Sequence, residues 1–374
     1  MSLGLSTYGI VQTPRVYIDN FLLARTLGVN FEIGNLRGVY EDVDMEDYIY
    51  LDGDIEKRKL LWDLDPVRYT KIMDPPGDDP ISKVKMEIRI PSEFQPLYSE
   101  FLKIMGTSNY AAILNHNLYS GAETLVQAGL EYNGTTTIGA SDTTSIVGDF
   151  NEDIENDGFI IAKIDISPEE DKLFEFDFVI KSQGATMPPG FNYNIGCFSL
   201  GTYLDFPRTP DLNVKINYSH EGVSRKRTIS GKDITHITYP GAPDWGQLLP
   251  FTSSKDSGSY YKSSGLTGRK SWDMSFRYLD KSEVFRSIES GNSAGFDYRL
   301  LESGGDYIGG NFREDQSILG TYLSRTLGGQ LKHMLQPDNT KAEFYIVTLD
   351  QDSTTITQSS HGVFDINFKF VQAW

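Results

Sequence analysis

The chain has 374 residues, 39% of them hydrophobic and 23% charged, which is too long for one ordinary core and too apolar for a disordered chain, so two globular domains are expected. Its 52 acidic against 34 basic residues leave a net charge of −18, a field that repels phosphate backbones and anionic headgroups and so excludes bulk nucleic-acid binding. A single cysteine, Cys197, excludes an internal disulfide framework and a cysteine-rich metal site, and in its apolar stretch it reads as a buried core residue.

The N-terminal MSLGLSTYGIVQTPR lacks the basic flank and long apolar run of a secretory signal. No segment approaches the roughly 18 uninterrupted apolar residues of a helical membrane span, so no membrane partner is expected. After an acidic loop expected over 41–54, Val84, Met86, Ile88 and Ile90 alternate with Lys85, Glu87 and Arg89, which predicts a strand with one dry and one wet face. Phe94, Leu97, Phe101, Leu102 and Met105 follow at helical spacing behind Ser92, a candidate N-cap, so one short helix is expected over 92–105. The stretch 131–158, rich in Gly, Thr, Asn and acid, reads as a second long loop.

Alternation returns at 174–180, where Phe174, Phe176, Phe178 and Ile180 oppose Glu175 and Asp177. Pro188, Pro189 and Gly190 then break the pattern and mark a domain boundary. Beyond it, Leu212, Val214, Ile216 and Tyr218 predict another half-dry strand, and Arg225, Lys226 and Arg227 read as a solvated strand end beside a turn. A third loop is expected over 232–268. Trp272, Met274, Phe276 and Tyr278 predict the next strand, residues 318–330 a short helix or turn closed by Gly328 and Gly329, and Phe364, Ile366, Phe368 and Phe370 a terminal strand. Five alternating stretches, 21 Tyr and 21 Phe, and few helical signals define a mainly β chain of antiparallel sheets divided into 1–190 and 191–374.

Motifs for catalysis are sparse. The five histidines, His116, His220, His236, His333 and His361, are scattered, and the sequence holds no HExxH helix, Walker loop or GxGxxG. Gly291 to Gly295 spell GxSxG, but polar residues precede the serine where a nucleophile elbow needs a buried strand, so a surface turn is expected. Asp149, Asn151, Asp153, Glu155 and Asp157 place an oxygen ligand at every second position, as a calcium loop does. Ile154 stands where the turning glycine belongs, and a solvated acidic loop takes precedence over the metal. No cofactor is expected. An acidic glycosidase dyad is set by distance in space, so abundant carboxylates alone do not identify one.

The run IGCFSLGTYLDFPRTPDLNVKINYSHEGVSRKRTISG at 195–231, GAPDWG at 241–246, GRKSWDMSFRYL at 268–279, LGGQLKHMLQPD at 327–338 and the aromatic end of 342–374 resemble virion structural proteins of contractile-tailed phages of aquatic bacteria. The resemblance implies a non-enzymatic component of a phage tail or baseplate, made in the host cytoplasm and assembled as a homo-oligomer with other virion proteins. PRVYID at 14–19, a helix, NYAAILNHNLYSGAETLVQAG at 109–129 and FEFDFVI at 174–180 resemble galactose-binding-like β-sandwiches, although Asn115 stands before His116 and Asn117 where those have glycine. This implies an N-terminal jelly-roll-like sandwich ahead of a C-terminal antiparallel β domain. Two alternative functions follow, a host-glycan adhesin and a glycan-cleaving enzyme with an acidic dyad. Trp245, Tyr260 and Tyr261, aromatics in loop 232–268, are candidate interface anchors, with packing onto the chain's own sheet as the alternative.

Overall fold

The computed structural model describes residues 13–26, 32–40, 43–45, 50–51, 61–65, 70–73, 83–89, 108–116, 122–129, 137–141, 144–145, 159–163, 175–182, 193–219, 223–237, 269–285, 317–340 and 344–373. In chain order the first strands are β1 (Arg15–Asp19), β2 (Glu32–Tyr40), β3 (Val43–Met45), β4 (Tyr50–Leu51), β5 (Thr70–Met73), β6 (Lys83–Arg89) and β7 (Tyr110–His116). Next come β8 (Ala122–Gly129), β9 (Thr137–Ser141), β10 (Thr144–Ser145), β11 (Phe159–Lys163), β12 (Glu175–Ser182), β13 (Tyr193–Asp205) and β14 (Lys215–Ser219). The last are β15 (Val223–Arg227), β16 (Asp233–Ile237), β17 (Arg269–Asp280), β18 (His333–Gln336), β19 (Tyr345–Leu349), β20 (Ile356–Ser360) and β21 (Val363–Gln372). Among the described residues the helices are short: α1 (Asn20–Thr26), α2 (Lys281–Val284) and a π-helical turn, Ile318–Leu323.

The fold is mainly β and antiparallel. One sheet runs β10-β11-β7-β13-β1-β18-β19-β21-β17-β14, with β20 added on β21 and β5, carrying β4, on β13. These thirteen strands form one body, and the order has two free ends rather than closing into a barrel. The body draws on both sides of residue 190, because β1 pairs with β13 on one edge and β18 on the other. A second sheet runs β3-β2-β6-β12-β8-β9, and β15 with β16 makes a separate two-stranded ribbon. The alternating stretches at 84–90 and 174–180 are partners in the second sheet, with Val84, Met86 and Ile88 in register with Ile180, Phe178 and Phe176.

At its centre, in β1, β18 and β19, the large sheet is buried on both faces, while β17 and β21 alternate in burial as their sequences predict. Val16 and Ile18 join one apolar cluster with Phe206, Phe276, Phe368 and Phe370, while Tyr17 joins another with Tyr110, Leu114, Cys197, Met334 and Phe344. In the first, Phe206 stacks on Phe276 with centroids 4.6 Å apart and meets Phe368 and Tyr322 edge-on. Each ring removed from water contributes about 1.5–3 kcal/mol, so this aromatic layer is the main stabilising feature of the C-terminal strands. The π-helical turn closes the same face, begun by Ser317, whose hydroxyl accepts from the Gly320 amide, and ended where Gly328 donates to the Leu323 carbonyl.

Three expectations need correction. The strand expected over 212–218 begins only at Lys215; Leu212 lies in a turn and is 92% exposed, and Ile216 and Tyr218 are exposed as well. Alternation is present there, but α2 packs on β17 and β21, and the side chains of Ile216 and Tyr218 on β14 stay exposed. Each of the three expected loops carries strand: β3 and β4 in 41–54, β9 and β10 in 131–158, and β16 in 232–268. Tyr278, expected to point inward, is 67% exposed at a bulge where the register shifts between Phe276 and Leu279, and Leu279 takes the inward place. The helix expected over 92–105 lies outside the described residues.

Tyr278 holds φ at +60°, a conformation that an L side chain adopts at about 1–2 kcal/mol. Its amide donates to Asp365 Oδ1 at 3.1 Å, a bond that glycine preserves. Tyr278→Gly is therefore expected to raise the urea midpoint by an amount equivalent to about 1 kcal/mol. A lowered midpoint would show that the ring contributes more than the strain removes.

Candidate interaction surface

The ribbon is built by its turn. Thr228 donates its amide to the Lys232 carbonyl at 2.8 Å, accepts the Gly231 amide on its own carbonyl at 2.9 Å and accepts the Lys232 amide on Oγ1 at 3.0 Å. These bonds fix the register Arg225 with Thr235, Lys226 with Ile234 and Arg227 with Asp233. The strands expose both faces: apart from the half-buried Thr228, every residue from 224 to 236 is exposed. Ile229 stands at the tip with 110% relative exposure and Ile234 has 53%. Arg225 pairs with Asp233 and Arg227 reaches the Gly231 carbonyl at 3.4 Å, while Lys226 and Lys232 make no ion pair among the described residues.

Strand β14 precedes the ribbon and ends the large sheet. Its inner edge pairs with β17, and among the described strands nothing pairs with its outer edge. An end strand offers unpaired N–H and C=O groups to another chain. Leu212, Ile216, Tyr218, Ile229 and Ile234 are thus five exposed apolar side chains on one short stretch of chain.

Several buried polar groups have structural roles. Asp19 ends β1 and caps α1, with Oδ1 accepting the Leu22 amide at 2.8 Å. Burial raises its carboxyl to about 7, against the opposing pull of the Ser199 hydroxyl and the Leu22 and Phe21 amides, and Oδ2 accepts no hydrogen bond. A carboxyl so raised suits a general acid, yet Asp19 is only 2% exposed, so substrate has no access to it. Asn20 donates to Ser108 Oγ at 2.9 Å, Arg325 to Thr202 Oγ1 at 2.7 Å, and the Tyr110 and Ser199 hydroxyls share a bond of 2.9 Å. His333 is fully buried. Its Nδ1 lies 2.8 Å from the Leu331 carbonyl, which can only accept, so Nδ1 carries the proton and Nε2 accepts from the Tyr322 hydroxyl at 3.0 Å. Burial lowers its pKa to about 4.

Cys197 is buried as expected, and burial pushes its thiol well above the ordinary value, which removes the thiolate that a nucleophile needs. Arg225, Lys226 and Arg227 are solvated as expected. His116 ends β7, opposite Ile195, and His236 and His361 are exposed. Asp149, Asn151, Asp153, Glu155 and Asp157, the aromatics Trp245, Tyr260 and Tyr261, and the GxSxG at 291–295 lie outside the described residues. Among the described residues no group of three or more His, Cys, Asp or Glu side chains is placed to hold a metal ion, and no helix is long and apolar enough to cross a membrane. The apolar residues of the ribbon escaped the sequence reading because a single isoleucine in a polar turn has no periodicity. No family model, curated protein or solved structure matches the chain.

Proposed function

We propose that the chain is a non-enzymatic structural component of a tailed-phage virion, in the tail or baseplate, that holds neighbouring subunits through its exposed strand edge and ribbon. The observation that carries this reading is the end of the large sheet, where β14 exposes Ile216 and Tyr218 and leads into a ribbon whose residues 224–236, apart from Thr228, are exposed. Contacts of this kind are weak singly and durable when symmetry repeats them. The segments that resemble virion proteins supply β13 to β15, β17 and β18 to β21, so the resemblance falls on the sheet body and on this edge.

Within this reading, residues 1–190 supply a jelly-roll-like sandwich to which the six-stranded sheet contributes one layer, 191–374 supply the assembly domain, and β1 and β7 join the two through the large sheet. The protein is made in the host cytoplasm and carried in the tail, against copies of itself and other virion proteins. Mass spectrometry of purified particles tests this. A copy number of about three, six or twelve is expected, because closed rings repeat one contact. Absence from purified particles would remove the reading.

A further inference from the structure

We propose that the ribbon of β15 and β16 is a docking arm that seats on an acid-rich face of a second copy of this chain. The inference rests on the structural reading above and deepens it by naming the partner. A two-stranded ribbon without a covered hydrophobic face is marginal in water by itself, so its native form calls for a surface to lie against. The ribbon presents apolar side chains for such a surface, Ile229 at its tip and Ile234 on β16.

Charge selects the partner. Residues 224–236 hold four cations, Arg225, Lys226, Arg227 and Lys232, against one carboxylate, Asp233, for a net +3 in a chain of net −18. The rest of the chain therefore keeps 30 basic and 51 acidic residues, net −21. Lys226 and Lys232, without an ion pair among the described residues, are available to carboxylates on another copy. Phosphate polymers and anionic lipid offer the arm the same attraction and are the competing ligands that the binding measurements separate from a second copy. Arm and acceptor are different surfaces, so the contact is heterologous and builds head-to-tail rings or stacks.

Sedimentation velocity on the full-length protein tests the arm. The wild type is expected to self-associate, more weakly at high salt, and Lys226→Glu with Lys232→Glu to weaken the association about tenfold or more. Both lysines are exposed, and circular dichroism checks that the variant folds. A second variant, Ile229→Cys, places an accessible thiol in a chain whose own cysteine is buried. A photo-crosslinker attached there is expected to capture an acid-rich peptide of a second copy. A wild type that stays monomeric, self-association indifferent to the charge reversal, or crosslinks confined to one chain would each overturn the proposal. So would binding to duplex DNA or to phosphatidylserine–phosphatidylcholine vesicles, lost on reversal, in a protein that does not self-associate. Presence in purified particles with self-association indifferent to the arm removes the arm and leaves the structural role standing; absence from particles removes that role whatever the arm does.

Discussion

Gly201→Ala is expected to destabilise the protein by about 3 kcal/mol or more, enough to deplete the folded chain on expression. Gly201 lies in β13 between β1 and β7, opposite Asp19 on one side and Tyr110 on the other. A β-carbon there would stand 1.8 Å from the Ile18 carbonyl oxygen, 2.9 Å from its carbon and 3.0 Å from the Asn20 nitrogen. All three are backbone atoms, so no side-chain rotation relieves the overlap. β1 is also held on its far edge by β18, so moving it aside breaks a second ladder. Gly328→Ala is the control: its φ of +72° strains an L residue, but a β-carbon meets nothing within 4 Å. That variant should lose only about 1–2 kcal/mol. Equal urea midpoints for the two variants would show that the close approach of β13 to β1 does not govern stability.

The parts of this fold that were legible in the sequence are those where one face differs from the other. Met274 opposes Phe368 and Trp272 opposes Phe370 across β17 and β21, and both strands alternate plainly. β1 and β19 are buried on both sides, so RVYID and YIVTL carry no such period. Alternation also reads straight through a bulge, so the period places Tyr278 in the inward row that Leu279 completes. In β14 the alternation is present while Ile216 and Tyr218 stay exposed, because periodicity reports the polarity of a strand's faces and not what lies over them. Of the ribbon only the solvated strand end at Arg225 to Arg227 was legible, while β16 fell in an expected loop and the apolar tip carried no period. Asp19 shows the same limit: it is 2% exposed at the end of β1, a burial that only the packed strands around it define.

The burial of Asp19 makes stability depend on pH with a definite sign. Below its ordinary value of 3.8 the carboxyl is protonated in both the folded and the unfolded chain. As pH rises, the unfolded chain ionises first while the folded one holds its proton to about 7, so stability is lost across that window, by about 4 kcal/mol in all. His333 acts in the opposite direction. Its folded value of about 4 lies below the ordinary 6.5, so its stability is present above 6.5 and is lost, by about 3 kcal/mol, as pH falls to 4. The two slopes oppose each other between pH 4 and 6.5. Asp19→Asn keeps an oxygen to accept the Leu22 amide and cannot ionise, so it removes the first slope alone. Relative to the wild type the variant should gain about 4 kcal/mol between pH 4 and pH 8, and its own stability should climb with pH under the control of His333. Urea unfolding of both proteins at pH 4.5, 6 and 8 measures the difference. A gap that stays constant across the three would mean that Asp19 ionises in the folded chain as readily as in the unfolded one, and the buried cap would then need a counter-charge beside it.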